Sequence, residues 1–217
     1  MQEHHIKIEK QARYFSIGEP GKEIREIWYV FHGYGQLAKY FIRHFQAIAA
    51  DDRLIVAPEG LSRFYLNGFA GRVGATWMTK EDRLNEIDDY IGYLNTLHQH
   101  ITKEVNPEAV KISVLGFSQG TATACRWVMR GNASIHHLIL WAGMMPPEID
   151  FDNDGRIFRE IPLSLILGTE DPFANKEIIA KQEALLRSQQ IDFKSISFKG
   201  PHSLDAETLM ALASQNK

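Results

Sequence analysis

The sequence predicts an α/β fold in which a doubly wound, mostly parallel sheet carries helices on both faces. Three observations support this. Short apolar runs alternate with helical patterns along the chain, the order of repeated β–α units with right-handed crossovers. Runs such as Leu138-Ile139-Leu140-Trp141 and Leu163-Ser164-Leu165-Ile166-Leu167 lack strict alternation, as expected of parallel strands covered on both faces. A third run, Val110 to Leu115, passes at once into Gly116-Phe117-Ser118-Gln119-Gly120 and then a small-residue helix start, Thr121-Ala122-Thr123-Ala124.

Taken in chain order, residues 5–8 and 12–17 open as short strands and 25–31 follows as an apolar strand ending at Phe31. Residues 37–50 read as a helix and 53–57 as the next strand. In the helix at 81–103, Leu84, Ile87, Ile91, Leu94, Leu97 and Ile101 recur at three- and four-residue spacing and give one apolar face. Strand 110–115 and helix 119–130 come next, then strands 136–141 and 163–167. A helix at 173–190, a strand at 193–198 and a helix at 203–214 complete the pattern. With no repeat, low-complexity stretch or linker, residues 1–217 read as one domain.

Composition narrows the function classes. The chain is 44% hydrophobic and 24% charged, ordinary for a soluble globular protein. A net charge of −3 without a basic stripe argues against nucleic acid as a partner. The lone cysteine, Cys125, excludes an intramolecular disulfide and suits a reducing compartment. The segment Met1-Gln2-Glu3-His4-His5 lacks the form of a secretory signal, and no stretch approaches 18 apolar residues. A cytoplasmic protein without a stable membrane anchor is the expectation.

The Gly116–Gly120 segment has the context of a nucleophile elbow, strand then G-x-S-x-G then helix. A serine hydroxyl needs a nearby base and oxyanion donors to attack a carbonyl, and a sharp turn exposes it to both. The competing reading is a turn whose serine caps the helix. If Ser118 is the nucleophile, its partners must also follow strands on the same sheet edge. Strand 163–167 runs into Gly168-Thr169-Glu170-Asp171-Pro172-Phe173, and strand 193–198 into Lys199-Gly200-Pro201-His202-Ser203. The order Ser118, Asp171, His202 matches the serine–acid–histidine order of such elbows. His202 would carry the proton and Asp171 would orient it, with Glu170 the nearest competitor for that second role.

Of the nine histidines, His44 and His98 fall inside helices and His136-His137 opens a strand. His32 follows a strand, in Phe31-His32-Gly33-Tyr34-Gly35-Gln36, but that early loop is where a second oxyanion donor is expected. The amides of Tyr34 and Gln119 are therefore the candidate oxyanion hole, and the His32 side chain reads as structural.

On these residues the chain resembles the phospholipase/carboxylesterase family of α/β-hydrolases, which includes acyl-protein thioesterase-like enzymes. The likeness runs from about Trp28 to His202 and is carried by His32-Gly33-Tyr34-Gly35, Ala57-Pro58, Thr76-Trp77-Met78, Gly116-Phe117-Ser118-Gln119-Gly120, Gly168 to Pro172 and His202-Ser203. It implies an α/β-hydrolase fold with little or no lid and a serine esterase without metal or organic cofactor. It also supports Tyr34 and Gln119 as oxyanion donors. Many relatives have Asp where Gln36 stands, a second glycine where Thr121 stands, and Trp-Phe-Asp where this chain has Trp77-Met78-Thr79. These departures mark a divergent member.

Leu37, Trp77, Met78, Met144, Met145 and Phe173, with Tyr34, all lie near predicted strand ends and are the candidates for one apolar substrate pocket. Asp150-Phe151-Asp152-Asn153-Asp154-Gly155 opens like a calcium loop, but its twelfth position is Ile161 and no helix pair flanks it, so it reads as a solvated loop. The expected activity is hydrolysis of a small-molecule ester or thioester through an acyl-enzyme. Another acyl transfer such as peptide cleavage, or a non-catalytic binding scaffold, is the alternative. Pairing into a homodimer is left open by the sequence.

Overall fold

Ile27, Tyr29 and Phe31 enter one hydrophobic layer while Trp28 and Val30 enter the other. Residues on a strand point alternately to opposite faces, so a strand apolar at both parities belongs in the middle of a two-sided fold. The computed structural model, which describes residues 1–106, 108–173 and 176–215, has this architecture.

Its strands are β1 (Tyr14–Ile17), β2 (Glu26–Phe31), β3 (Arg53–Pro58), β4 (Ser62–Tyr65), β5 (Val73–Thr76), β6 (Lys111–Phe117), β7 (His137–Trp141), β8 (Leu163–Gly168) and β9 (Phe193–Phe198). Seven form one sheet in the order β1-β3-β2-β6-β7-β8-β9, and β4 with β5 makes a separate two-stranded sheet. Among the described residues, β1 runs antiparallel to its neighbour in the large sheet, and the other pairings there are parallel.

The helices are α1 (Ala38–Phe41), α2 (Arg83–Thr102), α3 (Gln119–Arg130), α4 (Arg156–Glu160), α5 (Lys176–Ser188) and α6 (Ala206–Ser214). Apolar residues of α2, α3 and α4, with Leu186 of α5, share one layer with Ile27, Tyr29 and Leu138. Helices α1 and α6 share the other with Trp28, Leu115 and Trp141. A buried ion pair ties that second layer together. Arg53 Nε donates to Glu26 Oε2 at 2.7 Å, and its other nitrogens donate to Ile48 O and Ala213 O at 2.6 and 3.1 Å. No helix among the described residues is long and apolar enough to cross a membrane.

Two expectations change. Residues 5–8 are exposed and form no strand, and His5 instead places Nε2 3.2 Å from Asp82 Oδ2. The helix expected over 37–50 is one short α-turn followed by a 3₁₀ segment, Ile42–Ile48. Its buried residues Ile42, Phe45 and Ile48 recur every third position, the period of a 3₁₀ helix. The β4–β5 hairpin and α4 were not expected, being short and weakly patterned. The helix expected over 173–190 is present as α5, with residues 174 and 175 lying outside the described residues.

Candidate active site

The serine sits on a strained turn. Ser118 has φ 54° and ψ −115°, a region that residues with a Cβ seldom enter and that costs on the order of 1–3 kcal/mol. Neighbouring contacts hold it there. Ser118 N donates to Trp141 O at 2.8 Å, and Ser118 O accepts from Thr121 N at 3.0 Å. A Cβ on Gly116 would lie 2.3 Å from Gly120 O, and one on Gly120 would lie 2.2 Å from Phe31 O. Strand β6, helix α3 and strand β2 can meet at this point only because both positions lack side chains. Although Ser118 stands at the N-cap of α3, its side chain makes no capping hydrogen bond. The capping reading of this serine therefore has no contact behind it.

Asp171 and His202 come together on two interlocked loops. Thr169 N donates to Phe198 O and Glu170 N to Gly200 O, both at 2.9 Å. Gly168 is packed so tightly that a Cβ there would lie 2.4 Å from Gly200 O. These contacts bring Asp171 Oδ2 within 2.6 Å of His202 Nδ1, while Asp171 Oδ1 accepts from Phe173 N at 2.8 Å. The Asp171 side chain is 1% exposed and that of His202 19%. The imidazole packs between Phe117 and Phe173, each ring centroid 4.9 Å away. Glu170 is exposed, so among these two acids it is Asp171 that meets the histidine.

The loop after β2 lies against the serine, for a Cβ on Gly33 would be 3.2 Å from Ser118 Cβ. The amides of Tyr34 and Gln119 have no acceptor among the described residues. Strand β5 braces this loop from outside. Gly35 N donates to Ala75 O at 2.9 Å and Ala75 N to Gln36 O at 3.0 Å. Gln36 Oε1 accepts from Gly33 N at 2.7 Å, which gives this departure from the family pattern a turn-forming job. The Gln119 side chain pins the next segment by donating to Thr76 Oγ1 and Met78 O, each at 2.9 Å. Thr121 Oγ1 lies 2.7 Å from Ser118 O and 3.0 Å from Met144 O, so it stitches the elbow to the loop after β7.

His32 is fully buried. Its Nε2 accepts from Gly60 N at 3.0 Å, so the proton sits on Nδ1 and is donated to Gly33 O at 2.8 Å. Trp77 stacks on the ring at 5.1 Å and donates from Nε1 to His32 O at 2.9 Å. Burial holds the imidazole neutral, lowering its pKa to about 4. In the unfolded chain it titrates near 6.5, so between pH 6.5 and 4 only the unfolded state takes up this proton. The stability due to neutral His32 is whole above pH 6.5 and is lost as the pH falls to 4, by about 3 kcal/mol in all. His32→Gln is expected to flatten the rise of unfolding free energy with pH across this window by close to one proton. Urea titrations at several pH values check this, and an unchanged slope would refute it.

The predicted pocket residues divide among separate places. Met144 and Phe173 line a cavity of about 210 Å³ together with Leu140, Leu165 and Ile179, and Asp171 forms part of its wall. Leu37 instead lines a cleft between α1 and β5. Trp77 is 1% exposed and supports the His32 loop from beneath. Met145 is buried, its amide donating to Gln182 Oε1 at 2.8 Å, and the Met78 sulfur lies 3.5 Å from Arg126 Nη1. Nearness to strand ends grouped them, but the ends of β2, β5 and β7 reach Ser118 from different sides.

Some supporting residues escaped the sequence reading. Glu59, 1% exposed, accepts from Arg13 Nε and Arg63 Nε, each at 2.7 Å, and from Ala38 N at 3.2 Å. Burial pushes its carboxyl upward, but the hydrogen bonds and charges of Arg13 and Arg63 outweigh that and leave it lowered. Its one local signal is a carboxylate directly after a buried strand. Ala142, in the positive-φ region at 52°, and Gly143 bring the loop after β7 against Ser118 O. The acidic turn at Asp150 is closed on itself, with Asp150 Oδ1 accepting from Asp152 N and Asn153 N.

A strained serine between a parallel strand and a helix, with an Asp–His pair beyond the strands to one side, defines an α/β-hydrolase. The model of the phospholipase/carboxylesterase family matches residues 12–215, and the chain belongs to that family. That membership makes it a hydrolase. Acyl-protein thioesterase 2 of Zea mays superposes with a TM-score of 0.70 at 18% identity, covering 95% of this chain and 98% of that one. Esterase PE8 gives 0.68 at 19% identity, covering 95% and 98%. A phospholipase/carboxylesterase of Dyadobacter fermentans gives 0.68 at 17%, covering 94% and 95%. At these identities the likeness speaks for the fold. No curated protein gives a significant match to the chain.

Proposed function

We propose that the chain cleaves carboxylic esters or thioesters through an acyl-enzyme on Ser118. The observation that carries this reading is the 2.6 Å Asp171–His202 hydrogen bond, on the same sheet edge as a strained serine whose side chain caps nothing. Ser118 Oγ attacks the carbonyl carbon as His202 Nε2 takes its proton, and the Tyr34 and Gln119 amides receive the oxyanion. His202 then returns the proton to the departing alcohol or thiol. Water, deprotonated by the same nitrogen, releases the acid.

The 210 Å³ cavity beside Asp171 supports an apolar group on the substrate, since Leu140, Met144, Leu165 and Phe173 offer it little polar competition. Each methylene buried there is worth about 0.8 kcal/mol, or about fourfold in kcat/KM, until the space is filled.

A fluorophosphonate probe is expected to label the folded chain at Ser118, and a panel of p-nitrophenyl esters and acyl thioesters of graded length to show a rise and then a plateau or fall. Absence of an adduct in folded protein would overturn the nucleophile. Turnover that ignores chain length would remove the cavity from the substrate's path.

A further inference from the structure

The oxyanion loop has a second neighbour. On the β2 side of Ser118, away from the apolar cavity on the β7–β9 side, lies a cleft of about 610 Å³. Gly35, Gln36 and Leu37 make its inner wall, Tyr40 and His44 one bank, and Arg72 the other. Because Gly35 follows Tyr34 directly, the cleft begins within a few bonds of the proposed oxyanion site.

Among the described residues, no carboxylate lines this cleft. The arginines in and beside it are also unlike the other arginines of the molecule. Of the twelve arginines, ten donate from the guanidinium to a carboxylate or a backbone carbonyl among the described residues. The two that do not are Arg72, on the cleft wall, and Arg43, whose guanidinium lies 5.0 Å from the ring centre of the cleft residue Tyr40. Lys39 and His44 lie on the same short stretch of chain and add to its basic character. A chain of net charge −3 pairs its arginines almost everywhere and, among the described residues, leaves two without an acid or carbonyl partner, one on the cleft wall and one against the ring of the cleft residue Tyr40. A guanidinium fork matches the oxygens of a phosphate or carboxylate, and such charge-assisted bonds are the strong ones.

We propose that this cleft is an anion subsite of the esterase, taking a phosphate or carboxylate that the substrate carries a few bonds from the scissile carbonyl. The inference rests on the ester-hydrolase reading and adds the substrate class to it: esters with a negatively charged end. Arg72 and Arg43 supply the recognition. The apolar cavity on the other side of Ser118 receives the uncharged end.

Matched neutral and anionic esters test this on the full chain at low ionic strength. With the charge on the acyl side, mono-p-nitrophenyl glutarate is compared with p-nitrophenyl valerate. With the charge on the alcohol side, para-acetoxybenzoate and para-acetoxyphenyl phosphate are each compared with phenyl acetate. At least one anionic member is expected to exceed its neutral partner about tenfold in kcat/KM, mainly through KM, as one charge-assisted hydrogen bond would give. The preference should shrink with added salt as screening grows. It should also vanish in the Arg43→Gln/Arg72→Gln double variant, whose melting curve shows that it is folded. Which pair shows the effect distinguishes an acid-side from an alcohol-side charge and carboxylate from phosphate. Neutral esters preferred in every pair, or a preference that survives the double variant, would overturn the subsite and leave the esterase reading standing. No turnover of any ester, neutral or charged, would overturn that reading and the subsite with it.

Discussion

Ser118→Ala is expected to lower kcat for p-nitrophenyl esters by about 10⁴ to 10⁶-fold while leaving the protein folded. The size follows from the route: without Oγ there is no acyl-enzyme, and only water positioned near the Tyr34 and Gln119 amides remains. Stability tells a second story. An N-cap serine normally contributes about 1 kcal/mol through its side-chain hydrogen bond. Ser118 makes no such bond, so its loss as a cap should cost nothing. A shift in unfolding free energy within about 0.5 kcal/mol is expected, the range of substitutions that break no contact. Ser118→Val differs in kind, because a β-branched residue at φ 54° adds strain to a turn already strained. Activity lost together with a full 1 kcal/mol or more in Ser118→Ala, about the worth of an N-cap bond, would favour the capping role. A variant that still hydrolyses esters at a hundredth of the parent rate would remove Ser118 from the chemistry.

The parts of this site that follow strands were legible in the sequence, and the parts that brace it were not. Ser118, Asp171 and His202 each follow a strand of the parallel sheet, and parallel strands all end on one edge, so a local pattern pointed to a long-range arrangement. No such rule reaches β5, a four-residue strand whose Ala75 exchanges hydrogen bonds with Gly35 and Gln36 across a long stretch of sequence. Gln182 is equally silent in sequence. A glutamine on an amphipathic helix looks solvated, yet it is buried and accepts from Met145 N. The segment 42–48 shows a failure of period: three residues per turn and 3.6 diverge by little over two turns, and only burial at every third residue separates them. The pocket residues failed for another reason. Proximity to a strand end places a residue at the right edge of the sheet, but not on one side or the other of Ser118.

Asp171→Asn is expected to cost about 10⁴-fold in kcat, through the proton rather than through the fold. Asp171 faces two donors, His202 Nδ1–H at Oδ2 and Phe173 N–H at Oδ1. A carboxylate accepts both. The amide that replaces it has one oxygen and must turn its NH₂ toward one of the two. Phe173 N–H cannot lose its proton, so the oxygen goes there and the NH₂ faces Nδ1. The imidazole then settles as the Nε2–H tautomer, with its lone pair toward the substituted amide and none left for the serine. Packing between Phe117 and Phe173 keeps the ring in place, so the variant should hold its shape and bind substrate with KM changed much less than kcat. Glu170→Gln provides the contrast. Its carboxylate is exposed, and turnover within about twofold of the parent is expected, as for other surface changes. Steady-state kinetics on a neutral p-nitrophenyl ester reads both variants. A large loss in Glu170→Gln with activity kept in Asp171→Asn would exchange the roles of the two acids, and a loss in Asp171→Asn confined to KM would make Asp171 a wall of the cavity instead of the partner of His202.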